Sequence, residues 1–229
     1  MLCKIADLIT DVPTANGLDH RCADYLYSGD RGADIIIRTD LYRWGKYSSD
    51  IPRETVSYME SAYQFYLNLL DHDGFYIHAS AVVRNGKAYL FSGHSGAGKS
   101  THTRIWVETF GGETRVINDD KPALRLIDGV WYAYGTPWCG KDGINLNQKA
   151  PVAGLCFLKQ DSKNAIRHLS KKEALFHILG QTIFRLEQAE RTNALVDLID
   201  NFLTNIPVYE LENVPNSEAA LLSYETMSR

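Results

Sequence analysis

One stretch, FSGHSGAGKST at residues 91–101, limits what this chain can fold into more than any other. Gly93, Gly98, Lys99 and Ser100 occupy the fixed positions of G-x-x-x-x-G-K-[ST], and Gly96 adds a further glycine. At this spacing small residues let successive backbone N–H groups curl around phosphate oxygens, while Lys99 can reach the outer phosphates and Ser100 can ligate Mg²⁺. The candidate phosphate-binding set is therefore Gly93, His94, Ser95, Gly96, Ala97, Gly98, Lys99, Ser100 and Thr101. Such a loop needs a strand to enter it and a helix to leave it. Residues 88–91 read as the strand, and residues 101–110 continue as a helix whose positive end faces the loop. A glycine-rich surface turn without a ligand is the alternative, but it does not call for that order of elements.

A second polar cluster follows at the end of the next apolar run, where residues 113–117 read as a strand leading into Asn118-Asp119-Asp120. Adjacent carboxylates at a strand end can divide their tasks, one handling Mg²⁺ and the other accepting a proton from an attacking hydroxyl. Asp-Asp also occurs in solvated turns. Twenty residues beyond Lys99, the pair reads as part of the same site, with Asp119 as base and Asp120 beside Ser100 on the metal. The order of the two roles stays open, because side chains at a strand end can turn either way.

The remaining elements follow from periodicity and turn chemistry. Residues 3–10 and 33–38 read as strands of a small β-rich flanking region, 1–50, with a Gly/Asp-rich turn at 28–32. Pro52 suits the first turn of a helix to about residue 71, its packing stripe formed by Val56, Met59, Tyr63, Tyr66, Leu67 and Leu70. Residues 75–83, Asn85-Gly86 and 87–91 make a hairpin, as do 123–127, Asp128-Gly129 and 130–134. The loop GTPWCGKDGINLN, residues 135–147, has three glycines and two asparagines suited to close approach of a ligand, and its Lys141 could compensate charge on a transferring phosphate. A structural Ω-loop is the alternative there. A buried strand at 152–158, helices at 171–179 and 192–203, a strand at 208–211 and a helix from about 216 complete a mixed α/β pattern.

With 229 residues the chain can bury a core without disulfides, and a single domain is expected. Its net charge of -4 gives no reason to expect a nucleic-acid surface, and no run is long and apolar enough for a membrane span. Four scattered cysteines without Cys-x-x-Cys spacing suit reduced thiols in a cytoplasmic protein.

Taken together, IHASAVVRNGKAYLFSG, GHSGAGKST and VINDDKP resemble the HPr kinase/phosphorylase-like family, whose phosphate-loop core is related to that of phosphoenolpyruvate carboxykinases. The resemblance spans roughly residues 75–158. It implies an α/β core of mixed sheets with flanking helices, with ATP and Mg²⁺ as cofactors. It also brings His78 beside the carboxylates, to position or protonate reacting groups; a lone strand histidine would otherwise be structural. His94 stands where the family commonly has an acidic residue, and GTPWCGKDG replaces the region used for phosphocarrier recognition. The family's larger N-terminal domain has no recognisable counterpart. The resemblance therefore implies phosphoryl transfer to a hydroxyl, with serine or threonine of a peptide or protein as the expected acceptor. A small-metabolite kinase and a nucleotide-dependent regulatory protein with little turnover are the alternatives. ATP, GTP or pyrophosphate could be the donor, and a monomer or dimer is expected.

Overall fold

The computed structural model describes residues 1–13, 18–38, 50–183 and 189–229. Ala6 and Asp7, at φ 51° and 63°, supply the two positive-φ positions of a tight turn. The run expected as one strand, 3–10, is consequently a hairpin in which β1 (Leu2–Ile5) pairs antiparallel with β2 (Leu8–Asp11). Strand β3 (Ile35–Ile36) adds parallel to β2 and is shorter than expected. Residues 39–49 of the expected flanking region lie outside the described residues.

Helix α1 (Arg53–Leu69) follows Pro52, which caps it and so lies one position before its first turn. Its buried face keeps Val56 and Tyr66 of the expected stripe but otherwise differs: Phe65, Leu69, Ser61 and Ala62 are buried, while Met59 is 46% exposed. The small residues Ser61 and Ala62 admit a bulky neighbour, and the Trp138 indole N–H donates to Ser61 Oγ at 3.0 Å.

The run expected as one strand over 75–83 is broken. Strand β4 (Gly74–Tyr76) ends before Ile77 and His78, and β5 (Ala79–Arg84) begins after them. At the break the His78 N–H donates to Gln181 O and the Ala79 N–H to Asp120 O, so the chain leaves one part of the sheet for another. The Asn85-Gly86 turn then joins β5 to β6 (Lys87–Ser92) in the expected hairpin. Beyond the phosphate loop come α2 (Lys99–Phe110), β7 (Arg115–Asn118), β8 (Ala123–Ile127) and β9 (Val130–Tyr134). The rest comprises β10 (Lys149–Gln160), β11 (Ala165–His168), α3 (Lys171–Leu179), α4 (Ala189–Asn205), β12 (Val208–Asn213) and α5 (Ser217–Met227). Of these, β11 had no signal in the sequence, since its side chains are half-buried or exposed.

Strands β4 to β12 form a nine-stranded mixed sheet, ordered β4-β8-β9-β10-β6-β5-β7, with β12 beside β10 and β11 beyond it. The long β10 serves two neighbourhoods. Its first residues pair antiparallel with β9, and its later ones pair parallel with both β6 and β12. The helices cover this sheet through aromatic contacts: Phe75, Trp131 and Phe202 meet edge to face under α4, at centroid distances of 5.3–5.7 Å. Trp106 of α2 packs on Tyr89, Phe91 and Tyr224, which fixes the helix leaving the phosphate loop against both the sheet and α5. Each such pair contributes about 0.5–1.5 kcal/mol beyond its buried area.

Candidate active site

The loop at residues 93–98 closes through its own backbone: the Ala97 N–H donates to His94 O at 3.1 Å, and the His102 N–H to Gly98 O at 2.8 Å. Gly98 caps α2 at φ 96°, a conformation that side chains with a Cβ rarely adopt. From the sheet, Gln160 at the end of β10 donates to Gly96 O at 3.0 Å. Lys99 is buried, and its ammonium donates to the carbonyls of Gly93 (3.0 Å) and His94 (3.3 Å). Burial lowers its pKa, against the opposing pull of Asp120.

The carboxylate pair stands on a platform built around Asn118, which is fully buried. Its Oδ1 accepts from the backbone N–H groups of Asp120 (3.0 Å) and Lys121 (2.6 Å), while its Nδ2 donates to the carbonyls of Thr136 and Trp138, each at 3.1 Å. The hydroxyls of Thr136 and Tyr66 both donate to Lys121 O. The turn after β7 and the start of the loop at 135–147 therefore form one hydrogen-bonded unit.

On this platform the two aspartates meet different surroundings. Asp119 is only 4% exposed and accepts from the Gly140 N–H at 2.5 Å; a Cβ at Gly140 would stand 2.8 Å from its carboxylate. Burial raises the Asp119 carboxyl above the ordinary range, and the Gly140 bond offsets only part of this. For Asp120 burial also acts upward, but the hydrogen bond from His78 and the charge of Lys121 outweigh it and hold the carboxyl at about 2. His78 Nε2 lies 2.9 Å from Asp120 Oδ1, and Lys121 pairs with Oδ2. The other ring nitrogen of His78 lies 3.2 Å from Gln181 Oε1, and its carbonyl accepts from Ser92 Oγ at the foot of the phosphate loop.

A cavity of about 490 Å³ opens between loop and platform, and its walls gather His78, Ser95, Gly96, Gly98, Lys99, Ser100, Thr101, Asp119, Asp120 and Lys141. Gly140 and Asp142 complete the lining. Of the residues singled out from sequence, Gly93, His94 and Ala97 do not line this cavity: the carbonyls of the first two hold Lys99, His94 is otherwise exposed, and Ala97 is fully buried. Lys141 sits on the exposed tip of the 135–147 loop, whose first half is anchored by buried Thr136 and Trp138.

Sequence reasoning passed over several residues that shape the cavity. Lys121 pairs with the adjacent Asp120, and Asn118 Oδ1 caps the turn that follows it, but Gln181 on His78, Gly140 on Asp119 and the Asn118 amide on Thr136 and Trp138 act between distant segments, which no local spacing announces. The same holds for Arg21: it donates to Cys139 Sγ at 2.6 Å and lies over the Tyr58 ring, while its carbonyl accepts from Asn145. The N-terminal region thus grips the 135–147 loop. Burial raises the Cys139 thiol, with the Arg21 charge opposing, so the thiolate is disfavoured there.

Among the described residues no group of three or more His, Cys, Asp or Glu side chains could hold a metal by itself. Mg²⁺ does not call for one, because it commonly takes one or two protein oxygens and completes its shell with waters and nucleotide phosphates. Ser100 and Asp120, which line the same cavity, are oxygen donors of that kind. Among the described residues no helix is long and apolar enough to cross a membrane.

No protein-family model matches this chain, and no curated protein matches it in sequence. Among solved structures it is similar to the Hpr(Ser) kinase/phosphatase from Coxiella burnetii, with 15% identity, a TM-score of 0.38, and coverage of 67% of this chain and 88% of that one. The likeness is weak and partial.

Proposed function

We propose that this protein is an ATP- and Mg²⁺-dependent phosphotransferase acting on a hydroxyl, with serine or threonine of a peptide or protein as its acceptor. What carries the reading is the convergence in one cavity of the loop bearing Lys99 and Ser100 with two unequal carboxylates. The loop's backbone N–H groups and Lys99 would bind the β- and γ-phosphates, Lys99 moving from the Gly93 and His94 carbonyls to the phosphate oxygens. Ser100 and Asp120 would hold Mg²⁺, which would supply charge neutralisation on the phosphates.

Asp119, with its raised carboxyl, is the better matched of the pair to take a proton from the acceptor hydroxyl as it attacks. The hydroxyl's O–H bond would break with its proton passing to Asp119, the new oxygen–phosphorus bond would form as the bond between the γ-phosphorus and the β,γ-bridging oxygen breaks, and ADP would leave. His78 keeps Asp120 oriented and ionised, and Lys141 at the rim suits the transferring phosphoryl group.

The test is transfer of labelled γ-phosphate from ATP, GTP or, as labelled pyrophosphate, a non-nucleotide donor to peptide and small hydroxyl acceptors, with mass spectrometry locating the product phosphate. Wild-type protein should phosphorylate a peptide hydroxyl, and Lys99→Ala should lose about 3–4 kcal/mol of transition-state stabilisation. Nucleotide binding without product from any acceptor would leave only a regulatory role for the loop.

A further inference from the structure

A second cavity, of about 410 Å³, lies between α2 and β7 and shares Ser100, Asp119 and Asp142 with the phosphate cavity. Away from that junction Val107 of α2, Val116 of β7 and Ile144 of the 135–147 loop give it apolar surface, and Thr103 and Thr114 also line it. Arg104 and Arg115 add positive charge, so negative groups gather at the shared end and both guanidiniums lie beyond it. Arg115 is held by Gln148 Oε1 at 2.6 Å, whereas Arg104 stands exposed on the helix.

We propose that this slot holds the acceptor: a peptide segment whose serine or threonine lies at Asp119, with an apolar side chain beside it in the slot and an acidic residue reaching Arg104. The inference rests on the phosphotransfer reading above. A base must come within hydrogen-bond reach of the hydroxyl it deprotonates, so the acceptor has to enter past Asp119, and the slot opens from that carboxylate. The nucleoside, by contrast, is tethered through its phosphates to the loop, and Ser95, Gly96, Gly98, Lys99 and Thr101 line the phosphate cavity but not the slot. The apolar walls reward burial of an aliphatic side chain, and the guanidiniums select for a carboxylate.

The experiment uses the full chain with ATP, Mg²⁺ and a randomised peptide pool carrying serine or threonine at its centre. Products are sequenced by mass spectrometry, and peptide binding is measured separately by fluorescence polarisation. Wild-type products should be enriched in Leu, Ile, Val or Met next to the phosphorylated residue and in Asp or Glu further along. Ile144→Asp should raise the acceptor KM about tenfold or more while the nucleotide KM stays within about twofold. Arg104→Glu, an exposed substitution, should exchange the preference for acidic residues for one for Lys or Arg. Transfer that keeps the wild-type preference in both variants, or a change confined to nucleotide KM, would overturn the slot assignment and place the nucleoside there. Peptides that bind with the predicted preference but are never phosphorylated would instead overturn the phosphotransfer reading while sparing the slot. Neither binding nor transfer would overturn both.

Discussion

His78 Nε2 and Asp120 Oδ1 lie 2.9 Å apart, joining a residue at the break between β4 and β5 to the turn after β7. The backbone repeats the connection, since the Ala79 N–H donates to Asp120 O. One carboxylate of an adjacent pair is thereby kept ionised while its neighbour, Asp119, is pushed toward neutrality by burial. Divergent surroundings of this kind separate an acid–base role from an electrostatic one.

Asp120→Asn should weaken Mg²⁺-dependent nucleotide binding by roughly 10–100-fold, with partial rescue at high Mg²⁺, because the amide lacks the charge the cation needs. Nucleotide titrations across a Mg²⁺ series read this directly. If affinity holds and only the chemical step fails, the roles of the two aspartates must be exchanged.

Asp119→Asn should keep nucleotide affinity and lower the single-turnover rate by about 10²–10⁴-fold, since shape is kept and the proton acceptor is lost. A base works deprotonated, so the wild-type rate should climb as pH rises through the raised Asp119 pKa and level off above it. That rise should vanish in the variant. A variant with both unchanged rate and unchanged pH profile would reduce the pair to a solvated turn.

Asn118→Ala should destabilise the fold by about 2–4 kcal/mol, because the N–H groups of Asp120 and Lys121 and the carbonyls of Thr136 and Trp138 lose their buried partner together. Urea midpoints at constant slope measure it. In the surviving folded fraction, transfer should also fall, since both carboxylates ride on this side chain's hydrogen bonds.

His102, buried between α2 and α5, is held by burial at about 4, below its ordinary 6.5. The unfolded chain therefore binds the proton more readily. The stability due to the neutral ring is fully present above pH 6.5 and is lost as pH falls toward about 4, amounting to about 3 kcal/mol. Denaturant midpoints followed through that window should fall in the wild type and fall much less in His102→Gln. Equal slopes would remove His102 as the cause.

Much of this molecule was legible locally. The phosphate loop, its helix, the Asn85-Gly86 and Asp128-Gly129 hairpins and the starts of α3 and α5 are written in residues a few positions apart. Each depends on a turn, cap or glycine whose preferred backbone needs no distant partner: the Ser170 capping box and the Asn216 cap satisfy helix N–H groups within three residues. The phosphate loop and the paired aspartates are likewise short patterns, so their candidacy could be read from the chain alone.

Other features were decided only by tertiary structure. Nothing near His78 signals that the strand must stop there; Gln181 and Asp120 make it stop, from segments 103 and 42 residues away in the chain. Met59 fits the helical period of α1 yet is largely exposed, while Ser61, outside that stripe, is buried and accepts from the Trp138 indole N–H. Asn118 looks like any polar residue at a strand end until Thr136 and Trp138 fold over it. Asp119 and Asp120 are chemically identical in the sequence. Their difference arises only when Gly140 closes over one and His78 with Lys121 over the other, since a carboxylate's pKa is set by the charges, donors and burial that the folded chain gathers around it.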